Sequence, residues 1–205
     1  MIKKIFASIL LLPAIAMASP ATDLVARLKE MNSLQGRFEQ TVLDHGGTRL
    51  QEAEGDMVLA RGNKFYWHTR TPFEQLAVSN GKTLWIYDVD LEQVVEKPMG
   101  ERVANTPALL FGGDPEQITA AFSVEQSDVN GSRVTFRLKP KSEDPLFEVL
   151  EVTFEGNTPM AMRLEDALGQ QTAINFYDLK FNKPIAKKTF HFEAPEGADV
   201  IRQSE

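Results

Sequence analysis

The chain has 205 residues, with 22 basic and 29 acidic side chains, no cysteine and a formal net charge of −7. Such acidity disfavours nucleic acid and anionic lipid surfaces as partners. The missing thiols exclude disulfides, thiolate metal sites and cysteine nucleophiles.

The first segment reads as an export signal. Lys3 and Lys4 precede the apolar run IFASILLLPAI, and Ala16-Met17-Ala18 supplies a small-residue cleavage site. The run is short and broken by Pro13, whereas a bilayer span needs about 20 apolar residues. Residues 1–18 are therefore expected to be a cleaved signal peptide, and 19–205 a single domain of 187 residues. Without Lys3 and Lys4 the balance is 20 basic against 29 acidic, or −9. Ser19 rather than a cysteine follows the site, so the protein is not expected to be a lipoprotein itself. It is expected to be soluble beyond the inner membrane.

Thr22 or Asp23 then caps a helix whose Leu24, Leu28 and Met31 fall at i, i+4 and i+7, ending near Asn32-Ser33. The stretch VLARGNKFYWHTRTP, residues 58–72, reads as a strand. Met57, Leu59, Arg61, Phe65 and Trp67 share its parity, which puts a cation on a face with two aromatic rings. Two readings of Arg61 stand on residues alone. It ends the strand and snorkels to water, or it seeks acceptors beside an apolar face. The carbonyl end of a covering helix is the richest supply of such acceptors.

QLAVSNGKTLWIYD reads as a hairpin, with Asn80-Gly81 as its two positive-φ residues. Asp88, Asp90 and Glu92 alternate like calcium-loop ligands but lack that loop's glycine and glutamate spacing, so a solvated turn is expected. Thr106-Pro107 opens a short helix in NTPALLFGG, stopped by Gly112 and Gly113. Asp114-Pro115 opens a third, with Gln117 placed for a capping box and Ile118, Ala121 and Phe122 as its stripe. SVEQSDVNGSRVTFRLKP is a second hairpin, about Asn130-Gly131. FEVLEVTFEGNTPMAMRLED and QQTAINFYDLKFN continue the pattern, and KKTFHFEAP is a last strand.

The fold class is mainly β with few helices. Val134, Phe136 and Leu138 alternate with polar residues, so each strand buries one face. The helices carry apolar stripes of their own. One curved antiparallel sheet closed by helices is expected, with a two-sheet sandwich as the alternative. Three short helices are little cover for so many strands, so a hollow is expected between the layers. Met57, Met160 and Met162 lie on strand-like runs and suit a surface that accepts varied apolar shapes.

Motifs for catalysis are missing: there is no G-x-S-x-G, H-E-x-x-H, phosphate loop or dinucleotide fingerprint. His45, His68 and His191 match no metal-ligand spacing. No catalytic residue, metal or cofactor is expected. NKPIAKK, with Lys183, Lys187 and Lys188, is a basic exception that is either a solvated loop or a contact to a partner or membrane.

The stretches LQGRFEQTVLD (34–44), EGDMVLARGNKFYWHT (54–69), PFEQLAVSNGKTLWIYDVDLEQV (72–94) and NTPALLF (105–111) resemble the outer-membrane lipoprotein carrier family, LolA. The resemblance implies an unclosed β-barrel covered by a lid of short α-helices around an apolar cavity. It implies a non-enzymatic chaperone of the periplasm, a monomer that shields the acyl chains of lipoproteins. Its partners would be an ATP-driven (ABC-type) inner-membrane lipoprotein-releasing complex and an outer-membrane lipoprotein receptor of like fold (LolB-like). The family's lid arginine falls on Arg61, and its main-chain partners near Leu28 and at Phe111-Gly112. The cavity aromatics fall on Phe65 and Trp67, and Leu24, Met57, Leu59, Leu109, Met160 and Met162 are the other expected lining residues. The chain departs from the family at Gly62, where proline is usual. Two other classes stay open: a lipid-sensing or small-ligand β module without transfer, and a hydrolase with an unrecognised carboxylate pair.

Overall fold

The computed structural model of the chain describes residues 19–99, 110–143 and 145–203. The expected signal peptide, Leu109 and most of the NTPALLF helix lie outside these residues.

Helix α1 is Pro20–Lys29. Its cap is Ser19, whose side chain accepts from Thr22 N, rather than Thr22 or Asp23; Pro20 then occupies the first turn, where its missing N–H costs nothing. The helix stops at Lys29, short of Asn32-Ser33, yet Leu24, Leu28 and Met31 are all buried as expected.

Eleven strands follow in antiparallel order: β1 (Ser33–Leu43), β2 (Arg49–Ala60), β3 (Lys64–Thr71), β4 (Gln75–Asn80), β5 (Thr83–Asp88), β6 (Gln93–Pro98), β7 (Phe122–Asn130), β8 (Arg133–Pro140), β9 (Val149–Glu155), β10 (Thr158–Glu165) and β11 (Gln171–Phe181). A twelfth, β12 (Asp199–Arg202), pairs in parallel with β6. Among the described residues they form one sheet in the order β12-β6-β5-β4-β3-β2-β1-β11-β10-β9-β8-β7. The two end strands do not meet, so the curved sheet is an unclosed barrel and not a sandwich.

The stretch 58–72 is two strands rather than one. β2 ends at Ala60, residues 61–63 turn, and β3 starts at Lys64. Shared parity survives because Leu59 pairs with Phe65 and Met57 with Trp67, and directly opposed residues point to one side of the sheet. Gly62 (φ 82°) and Asn63 (φ 57°) make the turn. In the next hairpin only Gly81 has positive φ; Asn80 instead accepts from Lys82 N and Thr83 N through its side chain.

Gly55 permits the tightest approach in the sheet. A Cβ there would stand 1.9 Å from His68 O and 2.9 Å from the Phe38 ring. Phe38, paired with Gly55, stacks on Trp67 at 4.0 Å between ring centroids.

The KKTFHFEAP stretch is not a strand. Lys187–Phe190 is a 3-10 turn, and Phe192 packs on Trp85 and Tyr87 at 6.3 and 6.0 Å. Its aromatic residues serve a strap over the outer face, not a ladder.

Asp114 caps a 3-10 turn (Pro115–Gln117), accepting from Glu116 N at 3.0 Å; α2 (Ile118–Ala121) follows. Ile118 and Phe122 are buried as the expected stripe requires. This segment and α1 lie over the inner face, where Met57, Leu59, Phe65, Phe136, Phe154 and Phe176 form one core with Leu24, Leu28 and Phe111.

Candidate functional site

Arg61 stands in the turn between β2 and β3, at the end of the sheet where α1 finishes. Its main-chain N–H donates to Asn32 O at 3.1 Å, and Asn63 N donates to Gly112 O at 3.2 Å. The first continues the β1–β2 ladder beside the end of α1, and the second ties the turn to the 110–113 segment. The guanidinium repeats the tie: Nη1 donates to Gly113 O at 2.7 Å and Nη2 to Leu28 O. Leu28 is in the last turn of α1, at the negative end of the helix dipole, and its carbonyl accepts from Met31 N at 3.1 Å as well as from the guanidinium.

The second acceptor differs from expectation. It is the carbonyl of Gly113, one position beyond Phe111-Gly112. Gly112 O is occupied by Asn63 N, and Phe111 contributes its ring instead, edge-on to Phe176 at 5.7 Å and Phe154 at 6.5 Å.

Burial lowers the Arg61 pKa, and Asp114 nearby partly offsets this. The group stays cationic, since a guanidinium does not deprotonate in proteins. A cleft of about 410 Å³ runs beside it, lined by Lys29, Gly62, Asn63, Asp114 and Glu116 among others. Across this cleft Lys29 Nζ meets Glu116 Oε1 at 2.5 Å, with both side chains more than half exposed (51% and 68%). A pair so exposed is worth about 0–1 kcal/mol, less than either guanidinium bond.

Beneath Arg61 six of the residues expected to line a cavity lie together. Leu24, Leu28, Met57, Leu59, Phe65 and Met162 are buried in one cluster, and Trp67 packs against it. Met160 does not join them. A bulge between Pro159 and Ala161 breaks the alternation, so Pro159 and Met162 turn inward and Met160 is left half-exposed. Leu109 lies outside the described residues. These buried residues lie under α1 and the 110–121 segment.

Several participants were not singled out in the sequence. The alternation marks Phe136 as core, but nothing in the sequence marks Phe38, Phe154 or Phe176 as members of the same cluster. Arg27 is a further case. It pairs with Asp23 at 3.0 Å, donates to Gly156 O in the β9–β10 turn, and lies 5.7 and 5.8 Å from the ring centroids of Phe136 and Phe154. Only its i,i+4 spacing from Asp23 was visible in the sequence; its partners are 129 or more positions away or on other strands.

A family model described as outer membrane lipoprotein carrier protein LolA matches residues 29–193. An outer-membrane lipoprotein carrier protein of Alcanivorax borkumensis is 50% identical, over 99% of this chain and 100% of its own length. The protein of the same name from Chromohalobacter salexigens is 46% identical over 94% of this chain and 91% of its own. In fold, the chain is similar to an uncharacterized conserved protein from Thermus thermophilus, with a TM-score of 0.56 and 13% identity over 89% of this chain and 99% of that one. A candidate outer membrane lipoprotein-sorting domain from Vibrio parahaemolyticus gives 0.51 and 14% over 83% and 94%.

Proposed function

The chain belongs to the LolA family of outer-membrane lipoprotein carriers, and we propose that it shields lipoprotein acyl chains in its apolar interior while they cross the periplasm. It is a lipoprotein carrier. Carriage rather than catalysis is the chemistry of the family. Among the described residues no helix is long and apolar enough to cross a membrane.

Burying one CH₂ is worth about 0.8 kcal/mol, so a sixteen-carbon chain gains roughly 12 kcal/mol gross. A carrier with nothing opposing that gain would not let go. Arg61 supplies the opposition. Loading lifts α1 and the 110–113 segment, which breaks the bonds to Leu28 O and Gly113 O. Each bond from a charged donor is worth about 1.5–3 kcal/mol, so affinity falls by several kcal/mol and transfer to a tighter receptor becomes downhill. The donor of cargo in this scheme is an ATP-driven inner-membrane complex, and the acceptor is an outer-membrane lipoprotein receptor.

The bond of Arg61 to both covers, over a face of Leu59, Phe65 and Phe111, carries this reading. The test is a two-membrane transfer assay. Inner-membrane vesicles release a lipoprotein to the purified chain, the complex is confirmed by mass spectrometry, and outer membranes are then added. Acylated lipoprotein should appear first on the chain and then on the outer membrane. A chain that takes up no acylated cargo would overturn the proposal.

A further inference from the structure

The basic stretch within residues 182–188 acquires neighbours in the fold that its sequence does not reveal. Asn182 fixes the start of the strap: its Oδ1 accepts from Asn32 N at 2.7 Å and its Nδ2 donates to Glu30 O at 2.8 Å. The strap then runs over the outer face past β3 and β4, and Phe192 anchors it on Trp85 and Tyr87. Lys183, Lys187 and Lys188 are therefore displayed from an ordered support, and all three are exposed.

Two more exposed lysines stand at the same end of the sheet. Lys64 opens β3 directly after the Arg61 turn and is paired with Asn80. Lys82 follows Gly81 in the β4–β5 turn, and a Cβ at Gly81 would lie 3.8 Å from Lys64 Cγ. Among the described residues none of the five takes part in an ion pair. On a chain of net charge −7 they make a local cationic band at the Arg61 end of the sheet, with Glu30, Asp114 and Glu116 at its margin.

The opposite end of the sheet has the reverse character. Its turns carry Asp44, Glu74, Asp88, Asp90, Glu92 and Asp166, together with exposed Phe73, Leu91 and Leu168. Apolar anchors able to enter a bilayer thus sit away from the lysines, and the acidic remainder of the chain opposes an anionic lipid surface.

We propose that the band formed by Lys64, Lys82, Lys183, Lys187 and Lys188 docks a carboxylate-bearing face of a protein that exchanges cargo with this chain. The proposal rests on the carrier reading and adds where, and by what chemistry, the exchange partner is seated. Docking here places the partner at the end of the sheet where the Arg61 turn lies. Exposed charges at the rim of an interface act chiefly on the rate of encounter and on its salt dependence.

The test measures association of the cargo-loaded chain with the purified receptor, and of the empty chain with the purified inner-membrane complex. Two charge-reversed variants are compared with wild type: K183E/K187E/K188E, and K64E/K82E. K139E, on exposed Lys139 at the other end of β8, is the control. With at least one partner the variants should associate about tenfold more slowly at low ionic strength, and the difference should shrink in salt. Carbodiimide should couple a lysine of the band to a carboxylate of that partner. Wild-type rates in both variants would overturn the proposal while leaving the carrier reading intact. So would a loss confined to vesicles of phosphatidylglycerol, which would assign the band to a lipid headgroup. A wild-type chain that never loads would sink both.

Discussion

The Nη2 of Arg61 donates to the main-chain oxygen of Leu28, 33 positions earlier, so a turn of the sheet holds the final turn of the helix that covers it. The same guanidinium reaches Gly113 O at 2.7 Å. One side chain therefore bonds both covers at once.

Arg61→Leu should still load cargo but release it poorly. Losing two charge-assisted bonds removes about 3–6 kcal/mol from the closed state, an upper figure because the group is only part-buried. Delivery to outer membranes should slow at least tenfold while uptake persists. A normal delivery rate in the transfer assay would show that the bonds to Leu28 and Gly113 do not govern release.

Phe65→Glu should lose capture. The side chain is 6% exposed on the inner face, and an ionised carboxylate there has no partner. Phe65→Ala separates charge from stability: it should cost about 3–5 kcal/mol in denaturant unfolding yet retain some cargo binding. Glutamate at this position binding cargo like wild type would remove Phe65 from the acyl-chain surface.

Gly62 is in the left-handed region at φ 82°, and a Cβ there would meet nothing within 4 Å. Gly62→Ala should thus cost only about 1–2 kcal/mol of backbone strain, read as a lower midpoint in urea. Gly62→Pro cannot hold that angle, since the ring fixes φ near about −65°. The turn must rebuild, which should lower the urea midpoint, but proline is the residue the resemblance places after the lid arginine, so Arg61 should still reach its acceptors and delivery should stay near wild type. Delivery slowed as in Arg61→Leu would show that in this chain the arginine depends on the glycine turn.

Arg27→Ala should destabilise the closed state by about 1–3 kcal/mol, through the lost bond to Gly156 O and the exposed faces of Phe136 and Phe154. Hydrogen exchange of α1 amides should accelerate more than that of β1. Equal protection of α1 in both proteins would reduce Arg27 to a surface residue.

Much of this was legible in one dimension, because local physics writes it there. Alternation in VTFRL, the spacing of Leu24, Leu28 and Met31, and the turn glycines at 81 and 131 each record which side of an element faces water. The latch itself was half legible. A cation sharing parity with Phe65 and Trp67 leaves two readings, a snorkelled strand end or a search for acceptors; the resemblance points to Leu28 and Phe111-Gly112, and it is Leu28 and Gly113 that accept.

Where the sequence misled, distant contacts had the last word. Phe190 and Phe192 alternate like a strand, yet Trp85 and Tyr87 offered them an outer face to cover. Met160 has the right spacing, yet a bulge against β9 turned it aside. From residues alone one can conclude that the chain is largely sheet, acidic and thiol-free, with an arginine on a greasy face. Which carbonyls that arginine would hold, and that five lysines from three separate segments would gather at its end of the sheet, depended on strand order and register. Those are fixed by pairings between residues far apart in the chain, whose energies no local pattern encodes.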